Sequence, residues 1–432
     1  MITAASRSSI DTALLRADAA DAASVFTLRL DSDARAFAEA ADARRAARSR
    51  ARFLGVPVTV KDNFDLMGHA TTAGSTLLAD APKARRDAPV VERLRRAGFV
   101  VLGRTNMTEF AFSGLGLNPH FGTPLNPAFP DEQRIPGGSS SGAAVSVALG
   151  IAPVAIGTDT GGSIRIPAAL CGVTGFKPSA DAITREGVLP LSTTLDSVGV
   201  IARSVGDCAA VFDVIRDRPG LPRTTLPPRR IRLGLVQTYV RDGMAPEVVR
   251  AMDAAVSAIE AGGGLVEPVE LAELADIPAM MQEATFPAAE AFAWHEAFLS
   301  AGRAGEYDPR VVARIRAGGA MSAGGYVRLL ARRRAFIDAI ATQIAGLDAL
   351  LWPTVPFIAP TIASLADDAA YHAANAQALR NSTVANLLDG CAISIPCPGD
   401  GPPVGLTLAA LHGRDDHLLS VATSVQSLLK GA

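Results

Sequence analysis

Three short stretches of this chain carry residue types that could break an acyl bond. That chemistry needs a nucleophile, a group to take its proton, and backbone N–H groups aimed at the oxyanion that develops. Thr160-Gly161-Gly162-Ser163 offers the first and the third together. Its glycines would let successive N–H groups turn into one concavity beside the Ser163 hydroxyl. Taken alone, the run reads first as a helix N-cap after a glycine turn. A second run, Gly137-Gly138-Ser139-Ser140-Ser141-Gly142, places three hydroxyls in a flexible stretch that alone reads as a capping loop. It also contains G-x-S-x-G centred on Ser140, the nucleophile elbow of Ser-His-Asp esterases. That reading needs a late histidine, and only His412 and His417, in a polar turn, are candidates.

Lys61 is the third piece. The chain has four lysines (Lys61, Lys83, Lys177, Lys430) against thirty-seven arginines, so it generally uses Arg where a plain cation suffices. An arginine cannot be deprotonated in a protein, whereas a buried lysine can. A lysine kept at the end of an apolar strand therefore points to titration, with a salt bridge to the adjacent Asp62 as the structural alternative. Lys177, in GFKPS, reads as a structural contact after a short helix.

The elements that must position these groups follow from periodicity and turn chemistry. Residues 10 to 53 read as two or more helices. GVPVTVKDNF, from Gly55, has the β-branched residues of a short buried strand ending at Lys61. APVVERLRRAG (88 to 98) predicts a helix ended by Gly98, and FVVLGRTN (99 to 106) a strand. The PGGSSSG run (136 to 142) opens into a helix of small residues. VAIGTDTGGSIRIPAALCG (154 to 172) predicts a strand, a glycine turn and a short helix. Further strands are expected at 230 to 240, 348 to 356, 391 to 397 and 403 to 411, a helix at 246 to 261, and mostly helix over 280 to 346. This alternation favours a layered α/β sheet. Neither a repeat nor a linker marks a boundary, so residues 1–432 are expected to form a single domain.

Composition limits the function class. The chain of 432 residues is 49% hydrophobic and 19% charged, with a formal net charge of -2, so no nucleic-acid or membrane field is implied. The N-terminus lacks a signal-peptide core, and the most apolar stretch (143 to 157) is too short to span a bilayer. A cytoplasmic location is expected. The four cysteines and six histidines show no metal-ligand or redox spacing, so no metal is expected and the thiols read as buried and free.

Read together, these segments resemble a known family. PGGSSSGAAVSVALGIAPVAIGTDTGGSIRIPAALCGVTGFKPS is similar to the defining sequence of the amidase signature family, and VPVTVKDNFD to that family's lysine segment. The similarity is specific over roughly residues 54 to 210, through FVVLGRTNMTEFAFSGLGLNPHFGTPLNP and VLPLSTTLDSVGVIARSVGDCA, and thinner to about residue 420. The resemblance implies an α/β fold with a mixed, twisted central sheet covered by helices on both faces. Within it, residues 1–53 would form N-terminal helices, 54–210 the catalytic core, and 211–432 the rest of the sheet and the pocket helices.

The resemblance also assigns roles. The family's lysine falls on Lys61, the first serine of its loop on Ser139, and the serine of its GTDxGGS run on Ser163, with 24 residues between the serines. It implies a cis Gly138–Ser139 peptide, Ser163 as nucleophile, Ser139 as relay and Lys61 as base. The N–H groups of Thr160, Gly161, Gly162 and Ser163 would form the oxyanion hole. Asp159 is expected to hold the glycine turn, and Arg165 to pair with Asp159 or with a substrate carboxylate. Ser140 is expected to position the loop, and Ala111, Phe112 and Ser113 to line the acyl pocket. The expected activity is hydrolysis of a small carboxylic amide without a cofactor, and the partner is the amide substrate. Three alternatives stand beside it: the glutaminase subunit of a tRNA-dependent amidotransferase, a Ser-His-Asp esterase using Ser140, and a silent interaction subunit. The sequence leaves oligomeric state open, a homodimer being one option.

Overall fold

The computed structural model describes residues 2, 6–47, 49, 51–224, 226–282 and 284–431. Eleven strands run through it: β1 (Phe26–Arg29), β2 (Pro57–Lys61), β3 (Val100–Thr105), β4 (Val154–Asp159), β5 (Thr174–Lys177), β6 (Ser197–Ala202), β7 (Arg232–Val236), β8 (Leu265–Val269), β9 (Ala349–Pro353), β10 (Cys391–Pro396) and β11 (Gly405–Ala410). They form one mixed sheet in the order β1-β3-β2-β4-β6-β5-β10-β11-β9-β7-β8. Its central strands are buried along their whole length, which accounts for their near-continuous apolar and small residues, as in sheets covered on both faces. The last edge strand, β8, is largely exposed and carries Pro268, whose missing N–H blunts further pairing.

Alternating side chains send two cores to opposite faces. Val58, Val60, Ile156 and Val200 pack with the helices Pro89–Ala97, Val205–Ile215, Pro246–Ala261 and Asp415–Lys430. Ala155 and Ile201 face the other way, onto the helix Ser141–Ala148 and the N-terminal helices Arg7–Ala17 and Asp31–Ala46. Further along, Leu350 and Ala392 meet the helices Ala323–Gln343 and Asp368–Leu387.

Most predicted elements are present. The helix predicted at 88 to 98 spans Pro89–Ala97 and ends on Gly98 at φ +104°, a left-handed C-cap suited to glycine. The expectation of helix alone over 10 to 53 is corrected: β1 lies between two helices and pairs antiparallel with β3. Its four residues are too few for a period to register. The sequence reading also lacked the helix Asp368–Leu387, whose AAYHAANAQALRNSTVANL buries polar residues such as Asn375, Asn381 and Asn386, so no apolar stripe announces it. Among the described residues, no helix is long and apolar enough to cross a membrane.

Candidate active site

Strands β2 and β4 run parallel and side by side, with Val60 opposite Ile156. Their carboxyl ends therefore release Lys61 and Thr158–Asp159 at the same edge, where ligand sites of parallel sheets commonly form. Lys61 is wholly buried. Its Nζ donates to Ser139 Oγ and Thr158 Oγ1, each at 2.7 Å, and reaches the Thr158 carbonyl at 3.5 Å. Burial lowers its pKa to about 7, although the negative charges of Asp196 and Asp159 pull it upward. Asp62 is turned elsewhere, accepting from Gly74 N–H at 2.9 Å and pairing with Arg104 at 3.1 Å. The salt-bridge alternative for Lys61 is thereby corrected.

The serine loop and the glycine turn are tied to each other. The Gly138–Ser139 peptide is cis. The next residue, Ser140, donates its N–H to the Ser163 carbonyl at 3.1 Å and its hydroxyl to the Thr158 carbonyl at 3.3 Å. Ser163, Thr160 and Gly161 line a cavity of about 280 Å³ whose other wall includes Ala111, Phe112 and Ser113. Among the described residues no hydrogen bond joins the Ser163 and Ser139 hydroxyls. Such links often close only with substrate bound. Gly162 N–H is engaged by Asp159 Oδ1 at 2.8 Å, so it braces the turn, and Thr160, Gly161 and Ser163 are the residues of the run that face the cavity.

This buried lysine and pair of serines sit in a chain whose residues 8–419 match the amidase family model. The chain belongs to the amidase family. Its members hydrolyse carbon–nitrogen bonds, and this chain is an enzyme of that class. It is 35% identical to a 2-amino-5-chloromuconic acid deaminase of Comamonas testosteroni over 87% of this chain and 82% of that protein. It is also 35% identical to a glutamyl-tRNA(Gln) amidotransferase subunit of Symbiobacterium thermophilum, over 87% of this chain and 83% of that one. An amidase crystal structure superposes with a TM-score of 0.88 and 30% identity, covering 98% of this chain and 96% of the other.

In this amidase, Asp159 is the brace of the glycine turn. Besides Gly162 it accepts from Ile164 N–H (3.1 Å), Arg165 Nε (3.0 Å) and Asn386 Nδ2 (3.0 Å). Burial alone would raise its pKa, but the Arg165 charge and these hydrogen bonds outweigh it and hold the carboxyl well below the usual range. Arg165 is fully buried and also donates to the Ser382 carbonyl (2.8 Å) and Asn386 Oδ1 (2.6 Å). It is absent from the cavity lining. The option that Arg165 meets a substrate carboxylate is therefore corrected in favour of the ion pair with Asp159.

Other side chains bear on the esterase alternative. His412 pairs with Asp181 and Asp389, and His417 with Asp348, while Ser140 bonds a carbonyl, so a triad on Ser140 is not assembled. Lys177 Nζ donates to the Pro178 carbonyl at 2.7 Å, the structural contact expected of it. Sequence reasoning missed Thr158, which holds Lys61, and Asp196. The latter accepts from Thr160 Oγ1 (2.5 Å) and from the N–H groups of Leu191 and Ser192 (3.0 Å each). Burial raises the Asp196 pKa to about 6 against those hydrogen bonds. Its only sequence signal was an acid just before a strand, in TTLDSVGV.

Proposed function

We propose that this enzyme hydrolyses a small carboxylic amide to a carboxylate and ammonia or an amine, through an acyl-enzyme on Ser163. The observation that carries the reading is Lys61: a buried amine, its pKa drawn to about 7, 2.7 Å from Ser139 Oγ. Neutral Lys61 takes the Ser139 proton as Ser139 takes that of Ser163. The Ser163 oxygen forms its bond to the amide carbon, and the carbonyl electrons move onto oxygen, opposite the N–H groups of Thr160, Gly161 and Ser163; that of Gly162 is held by Asp159. On collapse the C–N bond breaks, and the proton returns through Ser139 to the leaving nitrogen. Water then gives a proton to the same relay, attacks the ester and frees Ser163.

Incubation with a fluorophosphonate followed by peptide mass spectrometry tests the assignment. An adduct on Ser163, absent in Ser163→Ala and slowed in Ser139→Ala, is expected. A folded protein unlabelled at Ser163 removes the proposal. A panel of aliphatic, aryl and carbamoyl amides, with ammonia release as readout, then places the substrate. The similarity to amidotransferase subunits favours a second reading, in which the chain is the glutaminase of such a complex. Strict preference for glutamine and copurification with partner subunits would establish it.

A further inference from the structure

Beside Ser139, Lys61 has a second hydroxyl neighbour, and the relay leaves the hydrogen of that hydroxyl unassigned. Thr158 Oγ1 lies 2.7 Å from Lys61 Nζ and accepts from Asn63 Nδ2 at 3.2 Å. The same Nδ2 donates to the Leu189 carbonyl at 3.3 Å, which can only accept, so the amide nitrogen is the atom facing Thr158. A hydroxyl has two lone pairs and one hydrogen. For Lys61 to take the Ser139 proton its single lone pair must face Ser139, so an Nζ hydrogen points at Thr158 and fills the second lone pair there. The Thr158 hydrogen is then directed away from both, and it meets no acceptor among the described residues. Turned instead into the Lys61 lone pair, it would block the base.

A second cavity, of about 320 Å³, meets Thr158. It is lined by the buried Thr158, Asp196 and Ser197 and by the exposed Arg185 and Thr193, so it runs from the surface to Thr158. Among the described residues it shares no lining residue with the catalytic cavity. Lys61 and Ser139 are wholly buried and line neither, so a substrate in the catalytic cavity closes that path between Lys61 and water. The second cavity has room and polar partners for several waters, at about 30 Å³ each. Resting on the relay proposed for Ser163, we propose that Thr158 is a positioning residue and proton relay, which aims the Lys61 lone pair at Ser139 and links Lys61 to water in the second cavity. The proton balance gives this link a task. Attack of water on the acyl-enzyme leaves a carboxylic acid, a stronger acid than the Lys61 ammonium, so its proton passes through Ser163 and Ser139 to Lys61 and a carboxylate remains. Lys61 then gives an Nζ proton to Thr158 Oγ1 as Thr158 gives its own to water, which carries it to solvent, and the neutral base is restored. The ammonia or amine released takes its proton from solvent.

Thr158→Val keeps the shape and removes the hydroxyl, and Thr158→Ser keeps the hydroxyl. The charges facing Lys61, Asp196 and Asp159, stay in place in both, as do Arg165 against Asp159, the Asp62–Arg104 pair and Arg185 at the second cavity. Thr158→Val should lower kcat/KM by about 100-fold on folded protein and move its acid limb about one unit to lower pH, because the ammonium loses an acceptor. Thr158→Ser should stay within about threefold of wild type, with the limb unmoved. A limb unmoved or shifted to higher pH in Thr158→Val, or a serine variant no better than the valine one, overturns the positioning role. The route is tested without touching Thr158. Val188, half-buried in the wall of the second cavity, is replaced as Val188→Cys and capped with benzyl methanethiosulfonate, with wild type treated alike to control for the native cysteines. After a jump from pH 5.5 to pH 8 with saturating substrate bound, wild type and uncapped Val188→Cys should reach steady product release at once. The capped variant should show a lag, which disappears when the enzyme is held at pH 8 before substrate is added. Absence of that lag overturns the proton route. Fluorophosphonate labelling separates the inference from the reading beneath: folded wild type unlabelled at Ser163 removes the acyl chemistry itself, whereas labelled wild type with any adverse outcome above removes only the role of Thr158 and its cavity.

Discussion

At the scale of single residues, the surroundings of Lys61 favour the neutral amine, as the base role proposed for it requires. Among the described residues no carboxylate touches it; two hydroxyls and a carbonyl do, and the cost of desolvating an ammonium brings its pKa to about 7. Lys61→Arg keeps the positive charge and removes the base, so turnover should fall about 10³-fold or more, measured as ammonia release on protein shown to be folded. The base works only when unprotonated. In the wild type, kcat/KM should therefore rise with pH through about 7 and level off above it. A flat profile between pH 6 and 9 would exclude Lys61 as the titrating group.

At the scale of elements, the turn between β4 and the helix Arg165–Leu170 is set from both sides. Gly162 holds φ +125°, and a Cβ there would lie 2.1 Å from Ser382 Oγ on the helix Asp368–Leu387. Gly162→Ala should cost roughly 2–4 kcal/mol through combined backbone and steric strain, seen as a lower urea midpoint together with weaker Ser163 labelling. From the other side, Asp196 ties Thr160 to the loop at Leu191 and Ser192. Its charge also raises the Lys61 pKa. Asp196→Asn removes that charge, so the acid limb of the kcat/KM profile should move to lower pH. An unmoved or alkaline-shifted limb would show that Asp196 is not coupled to the base.

At the scale of the whole molecule, Arg165 joins the first half of the chain to the last quarter, bonding Asp159 at the end of β4 and both Ser382 and Asn386 more than two hundred residues away. Arg165→Ala would strand a buried carboxylate and should destabilise the protein by about 3–5 kcal/mol in denaturant unfolding. Asp159 in the folded state ionises below its unfolded value near 3.9. Its stabilising contribution is complete above that pH and is lost as pH falls through the folded pKa. In Arg165→Ala burial acts without the opposing arginine charge and raises that pKa, so the deficit should be at least as large at pH 8 as at pH 6, and a deficit that shrinks as pH rises would argue against the ion pair.

How much of this was legible in advance differs by feature. The lysine at a strand end and the two glycine-serine runs were readable as local chemistry, because strand periodicity, turn residues and the choice of Lys in an arginine-rich chain are properties of short segments. The strands β2, β3 and β4 were readable for the same reason. The four-residue β1 and the polar, buried helix Asp368–Leu387 were not, since one is too short for a period and the other has no apolar stripe. Of the charge pairings that the fold makes, only Arg165 with Asp159 was among the options, beside a substrate carboxylate, and the sequence could not choose between them. Arg165 and Arg314 look alike in sequence, yet one is sealed against Asp159 and the other opens on the cavity beside Ser163. Contacts such as these are made between segments far apart in the chain, and only packing the sheet and its helices brings them within reach.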